Sequence, residues 1–296
     1  MPESKPKLVV KAVIPAAGLG TRLRPLTNAF PKELLPIGRE PVLAHIVREL
    51  RLAGITQAAF IVSESKPQIR NYFGEEFDEA ISGRPDLPPL RCAYLVQPHQ
   101  KGLGDAILQA EEWTGGESFV VAFGDCLIDA PDSSLPLRRL LETFIRESAV
   151  AAVLVERVAL EKVSRYGILS PHTPIESENE SESEAPFRAG DIVEKPSPES
   201  APSRLAVAAR WALSPKIFDA LRSGQLDSRG ELNLTDPVRS LLKSGGALWG
   251  VPLMEGEARR DIGNYESFFA AFLRFAFRDP EYGEATRRLA EELIEE

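Results

Sequence analysis

Three features of the sequence predict an α/β chain with a mostly parallel central sheet. Apolar runs of strand length alternate with amphipathic stretches of helix length through the first half of the chain. Most of their residues are apolar, as in strands covered on both faces. The first of them, Ala12-Val13-Ile14-Pro15, passes directly into a turn with two glycines. In such sheets ligands bind beyond the carboxyl ends of the strands. The loops after Pro15, Val96 and Phe123 are therefore expected to share one cleft.

Residues 1–10 read as a polar tail leading into the first strand. Pro41 to Ala53 reads as a helix, with Val42, Leu43, Ile46, Val47 and Leu50 on one face, Pro41 in the first turn and Gly54 as the stop. His45, within it, is expected to be a partly buried structural residue. Ala58 to Val62 is the second strand and Lys66 to Phe73 a short helix. Gly83 to Pro89, with one glycine and three prolines, is a loop. Arg91 to Val96 is a strand, Leu103 to Glu112 a helix and Ser118 to Phe123 a strand. Leu135 to Glu147 is a helix, and Val150 to Val155 a strand. Ser170 to Gly190 contains IESENESESEAP, acidic and poor in apolar residues, and reads as a solvated loop or hairpin tip. Order resumes at Asp191 to Pro196. A strand follows at Leu205 to Trp211, helices at Pro215 to Arg222 and Leu234 to Lys243, and a late strand at Ala247 to Pro252. Tyr265 to Phe277 is a helix whose stripe Phe268, Phe269, Phe272 and Phe275 is expected to pack. Glu281 to Glu296 is an amphipathic helix with Ala285, Leu289, Leu293 and Ile294 on its apolar side, docked on the body or on another subunit.

At 296 residues the chain suits one large α/β unit. Its formal charge of −9 argues against broad binding to a nucleic-acid backbone, so any nucleotide must be held by local cations. Cys92 and Cys126 lie in apolar strand-like runs without Cys-x-x-Cys spacing, and read as buried thiols. MPESKPK has no apolar stretch of signal-peptide length, and no run approaches the ~18 apolar residues of a membrane span. A cytoplasmic protein with no membrane or nucleic-acid partner is expected.

The densest chemistry lies early. Gly18 and Gly20 let backbone N–H groups approach an anion, and Arg22, Arg24 and Lys32 add charge beside them. This is not a Walker A loop, which needs Gly-Lys followed by Ser or Thr, and it lacks the third glycine of the dinucleotide fingerprint. A tight βα turn with incidental charges and a cradle for a polyphosphate both fit the glycines alone. Asp125, just past a hydrophobic strand, is either a loop cap or a carboxylate at the sheet edge. Asp261, in Asp261-Ile262-Gly263-Asn264, is a turn with a helix cap or a second such carboxylate. Asp129 and Asp132 read as cap and turn residues. Gln97 ends a strand, as an exposed polar residue or as an amide that reads a base edge. Glu194 and Lys195 are a surface pair unless the chain bends, because neighbours on a strand point to opposite faces. No nucleophile–base motif stands out.

Taken whole, KAVIPAAGLGTRLRPLTNAFPKELLPI, Lys11 to Ile37, resembles the signature of sugar-1-phosphate nucleotidylyltransferases, most closely the bacterial UTP–glucose-1-phosphate uridylyltransferases. The similarity extends, with gaps, to the helix after Asn264. It implies the nucleotide-diphospho-sugar transferase fold, Rossmann-like, as a single domain. The implied parts are a nucleotide-binding half at about 11–135, a smaller sugar-binding lobe at about 136–264, and C-terminal helices at 265–296. The implied reaction is UTP plus glucose 1-phosphate to UDP-glucose plus pyrophosphate, with Mg²⁺. Such a transfer brings two polyanions together, so it calls for positioning and charge neutralisation rather than a protein nucleophile.

The resemblance also implies roles. Arg22, Lys32 and Lys195 act on the phosphates, and Asp125 and Asp261 hold the metal. Ala17, Gly18, Gly20, Thr21, Gln97 and Gly102 bind the nucleotide. Gly167, in Tyr166-Gly167, Glu194 and Lys195 bind the sugar phosphate, with Glu231 and Thr235 of ELNLTD behind them. A homo-oligomer, dimer or tetramer, is implied. Two positions depart from the pattern. Asp105 stands where close relatives commonly have His, and Ala208-Ala209-Arg210-Trp211 replaces the usual Gly-Arg-Tyr. The alternatives are a thymidylyltransferase or another sugar-nucleotide pyrophosphorylase, and, from another class, a non-catalytic sugar-nucleotide sensor.

Overall fold

The computed structural model describes residues 8–78, 87–173, 185–227 and 229–295. Residues 1–7 of the polar tail, 79–86 of the Gly/Pro-rich stretch and 174–184 of the acidic insertion lie outside that set. The chain enters through β1 (Lys11–Pro15), a small hairpin of β2 (Pro36–Ile37) and β3 (Glu40–Pro41), and α1 (Val42–Leu52). Then come β4 (Gln57–Val62), α2 (Pro67–Phe73), β5 (Glu76–Phe77) and β6 (Leu90–Val96). The helix expected at Leu103 to Glu112 is interrupted, giving α3 (Leu103–Leu108) and α4 (Glu111–Thr114). Next are β7 (Phe119–Ala122), β8 (Cys126–Asp129), α5 (Leu135–Arg146) and β9 (Ala151–Arg157). The second half holds β10 (Gly167–Pro171), β11 (Phe187–Glu194), β12 (Leu205–Leu213), α6 (Ile217–Arg222) and α7 (Thr235–Lys243). It closes with β13 (Leu248–Pro252), β14 (Ala258–Asp261), α8 (Tyr265–Phe277) and α9 (Gly283–Glu295).

Among the described residues, ten strands form one sheet in the order β10-β11-β13-β9-β12-β7-β1-β4-β6-β5. The parallel part is the run β7-β1-β4-β6, with β9 and β13 also parallel. At β12 the sheet turns antiparallel on both sides. The acidic insertion joins β10 to β11, which pair antiparallel, so its stem is a hairpin.

Helices cover both faces, which is why the central strands are apolar throughout. Ala12 and Ile14 of β1 join one core, with Leu43, Ile46 and Leu50 of α1 and Leu137, Leu140 and Phe144 of α5. Val13 joins the other, with Ile107 of α3, Ile217 and Leu221 of α6 and Val238 of α7. A buried ion pair ties α1 to the sheet. Arg210 of β12 donates to both oxygens of Glu49 at 2.8 and 2.7 Å, and to the Cys126 carbonyl at 3.0 Å.

Three expectations need correction and one choice is narrowed. Cys92 is only half-buried, not a buried thiol like Cys126. Asp129 is no cap. It ends β8, nearly dry, and accepts from Arg274 and Arg278 at 2.6 Å each. The α8 stripe is only partly packed. Phe268 is buried and Phe275 meets His45 edge-on at 5.0 Å, but Phe269 and Phe272 are exposed. Leu289, Leu293 and Ile294 of α9 are exposed too, so that side of the helix is not docked on the body. His45 is structural as expected, with a ring nitrogen 2.9 Å from the Ile37 carbonyl. No described helix is long and apolar enough to cross a membrane.

Candidate active site

The parallel register fixes where the functional loops emerge. Pro15 of β1 pairs with Ile61 of β4, and Val62 of β4 with Val96 of β6. The ladder runs one residue further on each side: Ala16 N–H donates to the Ile61 carbonyl and Gln97 N–H to the Val62 carbonyl. Gly124, after β7, donates to the Pro15 carbonyl. The loops after β1, β6 and β7 thus open on one edge of the sheet, as predicted.

Ala16 and Ala17 are buried while Gly18 is exposed, so the loop presents its backbone to solvent only at its tip. Gly20 takes a left-handed conformation (φ 64°) that starts the 3-10 turn carrying Thr21 and Arg22. A Cβ at Gly18 would lie 3.7 Å from Lys32 Nζ, which places that ammonium beside the loop tip. Lys32 is paired with Asp125.

The second carboxylate arrives through a two-stranded arm that sequence reading did not find. In it β14 pairs antiparallel with β8, setting Asp261 opposite Cys126, and Ile262 N–H donates to the Asp125 carbonyl. Asp261 accepts from the Gly263 N–H at 2.5 Å, and the Arg22 guanidinium lies over Gly263, with Nη2 2.8 Å from where a Cβ would stand. Arg22, Lys32, Asp125 and Asp261 therefore meet. Their charges respond to one another. Burial pushes Asp125 up, but the Lys32 ammonium outweighs it and holds the carboxyl below its ordinary range. Asp261 is raised, by burial first and then by the charge of Asp125.

Lys66 is a residue that sequence reading missed. It follows β4 and is buried beneath the loop. Its three ammonium protons match three acceptors: the Ala16 carbonyl at 2.7 Å, the Gly18 carbonyl at 2.6 Å and Glu33 Oε2 at 2.8 Å. Burial lowers Lys66 and raises Glu33 from their ordinary values. The available signal was topological, since β1 and β4 are parallel neighbours and a lysine just after β4 must lie beside the loop after β1.

Gln97 is buried, not exposed. Its Nε2 donates to Asp105 Oδ2 at 2.6 Å and to the Gly102 carbonyl at 3.2 Å. Gly102 (φ 95°) and Gly104 press onto the ELNLTD segment. Leu232 N–H donates to the Lys101 carbonyl at 2.7 Å, and a Cβ at Gly102 would meet the Leu232 carbonyl at 2.7 Å.

That segment borders a cavity of about 220 Å³, lined among others by Gly167, Glu194, Lys195, Ala209, Trp211 and Glu231. The bend that Glu194 and Lys195 require is present: Lys195 has φ 45° just past the end of β11, and its ammonium reaches Glu194 at 3.2 Å. Thr235 donates to Glu194 at 2.6 Å, fixing the carboxylate from behind. Arg259, also missed from sequence, stacks over Tyr166 at 4.0 Å. A larger cavity, about 510 Å³, lies between α1 and the end of α8. It contains none of the expected site residues, and its Arg39, Arg48 and Arg278 are already paired with carboxylates.

Among the described residues no group of three or more His, Cys, Asp or Glu side chains could hold a metal. Asp125 and Asp261 are nonetheless a sufficient protein share for Mg²⁺, which keeps several waters and binds through one or two carboxylates plus substrate phosphates. Two converging carboxylates, one of them destabilised by the other's charge, form an acceptor set that a divalent cation would relieve.

The chain is similar to known proteins over most of its length. The family model for nucleotidyl transferases matches residues 11–276. A UTP–glucose-1-phosphate uridylyltransferase of Streptococcus pyogenes is 34% identical over 286 residues, 92% of each chain. UTP-bound UGPase from Acinetobacter baumannii superimposes with a TM-score of 0.83 at 29% identity, covering 97% of this chain and all of that one. A UDP-glucose pyrophosphorylase complexed with UDP-glucose gives 0.80 at 29% identity, over 92% of this chain and all of the other. The chain belongs to the nucleotidyl transferase family.

Proposed function

We propose that this protein transfers a uridylyl group from UTP to glucose 1-phosphate, releasing pyrophosphate, with Mg²⁺ as its metal. The observation that carries this reading is the meeting of Lys32, Asp125 and Asp261 beside the tip of the glycine loop. A set of cations and carboxylates at the sheet's carboxyl edge suits the approach of two polyanions.

In this reading the chain works by placement. Ala17, Gly18, Gly20 and Thr21 receive the nucleotide along the loop, and Gln97 and Gly102 receive its base. Arg22 neutralises the β- and γ-phosphates. Lys32 stabilises charge near the α-phosphorus and keeps Asp125 ionised, the form a metal requires. Asp125 and Asp261 would hold Mg²⁺, which would supply charge neutralisation. Glu194, braced by Thr235, accepts from sugar hydroxyls, and Gly167 lets the ring approach the backbone. Lys195 steers the sugar phosphate, whose oxygen attacks in line as pyrophosphate leaves. The nucleotide half spans about 11–135 and the sugar half about 136–264, within one domain. The exposed apolar residues of α8 and α9 support a homo-oligomer closed through these helices, and two free thiols suit a reducing cytoplasm.

The test is pyrophosphate release from UTP, dTTP, ATP, GTP and CTP against several sugar 1-phosphates, with EDTA controls. A peak at UTP and glucose 1-phosphate that EDTA abolishes supports the reading. A peak at dTTP moves it to the thymidylyl alternative. Nucleotide binding without release in any combination would make the protein a sensor.

A further inference from the structure

Asp105 has no counterpart in the chemistry described so far, yet it makes one of the site's shortest unambiguous contacts. Gln97 carries two amide protons on Nε2. One is taken by Asp105 Oδ2 at 2.6 Å and the other by the Gly102 carbonyl at 3.2 Å. A carboxylate and a carbonyl are acceptors only, so the orientation of the amide follows from chemistry: Nε2 must face them. Among the described residues, nothing donates to Gln97 Oε1. Every donor of this side chain is therefore occupied, and only an acceptor remains for a ligand.

Position makes that acceptor useful. Gln97 continues β6, and Ala16 continues β1 two strands away, a separation of roughly 10 Å at ordinary strand spacing. The uridylyl-transfer reading puts a pyrimidine against Gln97, and the hydrogen-bonding edge that a pyrimidine offers an amide carries N3. In uracil and thymine N3 bears a hydrogen and donates. In cytosine N3 is an acceptor and would oppose Oε1.

We propose that Asp105 is a positioning residue for nucleotide selection: it locks the Gln97 amide with its carbonyl toward the base, so that the site takes bases with an N3–H and rejects cytosine. The inference rests on the uridylyl-transfer reading for the position of the base, but not on turnover. Asp105 itself touches no substrate. The lock also predicts what is not discriminated, because UTP and dTTP present the same edge and Asp105 does not separate them.

The test is equilibrium binding by titration calorimetry of UTP, dTTP and CTP, without sugar phosphate, to the wild-type protein and to Asp105→Asn. Asparagine keeps the shape but offers Gln97 either a donor or an acceptor, so the amide can turn. The expected result is wild-type preference for UTP over CTP that falls about tenfold in Asp105→Asn, the worth of one charge-assisted hydrogen bond. The UTP-to-dTTP ratio should stay unchanged, and thermal unfolding reports that the variant is folded. Equal binding of UTP and CTP by the wild type overturns the proposal. So does a variant that keeps the wild-type ratio, or one that weakens all three nucleotides alike, which is what a merely structural role would give. A wild type that prefers UTP as expected but forms no UDP-glucose supports the lock and sinks the reaction assigned above.

Discussion

Replacing Lys66 by Met tests how the glycine loop after β1 is held. The substitution keeps a long apolar stem and removes the ammonium. Three acceptors lose their donor: the Ala16 and Gly18 carbonyls and Glu33 Oε2. The Gly18 end of the loop reaches solvent and can find water, so its share of the cost is small. Glu33 cannot, being 1% exposed. Breaking a buried pair by removing one partner costs about 3–5 kcal/mol, and the nearby Lys32 charge brings the expected figure to the lower end, about 3 kcal/mol at pH 7. The cost should depend on pH with a definite sign. Burial already raises the Glu33 carboxyl above its unfolded value of 4.5. A raised carboxyl favours folding below the unfolded value, and that contribution is lost as pH rises through the folded one. Without Lys66 the shift grows, so the variant should be penalised most at pH 8 and least near pH 5. Urea unfolding across that range measures it, and the Lys66→Met/Glu33→Gln double variant should recover part of the loss. A cost under about 1 kcal/mol at pH 7, or one that grows as pH falls, would refute the reasoning.

Asp261→Asn should make the ligand-free protein more heat-stable at neutral pH while lowering turnover about 100-fold or more. The Asp261 carboxyl is raised, so its ionised form opposes folding above that value; Asn removes the charge but keeps an acceptor for the Gly263 N–H. The gain in melting temperature should shrink toward pH 4, and a drop in melting temperature at pH 7.5 would contradict this account. Ala209 holds a left-handed conformation (φ 60°) at the wall of the cavity of about 220 Å³ proposed to take the sugar. Ala209→Gly should relieve about 1 kcal/mol of backbone strain and widen the cavity, seen as higher stability together with a smaller preference for glucose 1-phosphate over galactose 1-phosphate.

What could be read from the sequence follows from how each part is built. The strands β1, β4 and β7 were legible because each lies between two helical layers and is apolar nearly throughout, and β6 because it continues the same alternation of strand and helix. Their parallel order then placed the loops of Pro15, Val96 and Phe123 on one edge. Asp125 stood out because it ends such a strand. The β8–β14 arm did not, since two four-residue strands paired across more than a hundred residues leave no periodic signal. Lys66 was hidden for the same reason, with acceptors 33 to 50 residues away. Asp129 looked like a cap because the arginines around it come from β14, from α8 and from the residue that ends α8. The apolar residues of α8 and α9 carry the pattern of a packed surface whether the body or another molecule covers them, so sequence could not say that Phe269, Phe272, Leu289 and Leu293 would be exposed.

In the proposed function Asp125, held ionised by Lys32, serves a metal-assisted uridylyl transfer. The most direct measurement is a phosphorus NMR time course of UTP, glucose 1-phosphate and Mg²⁺ with the wild-type protein and with Asp125→Asn at equal folded concentration. UDP-glucose and pyrophosphate signals should grow together in the wild type, and at least 100-fold more slowly in the variant. No UDP-glucose from the wild type, or equal rates from the two proteins, would contradict it.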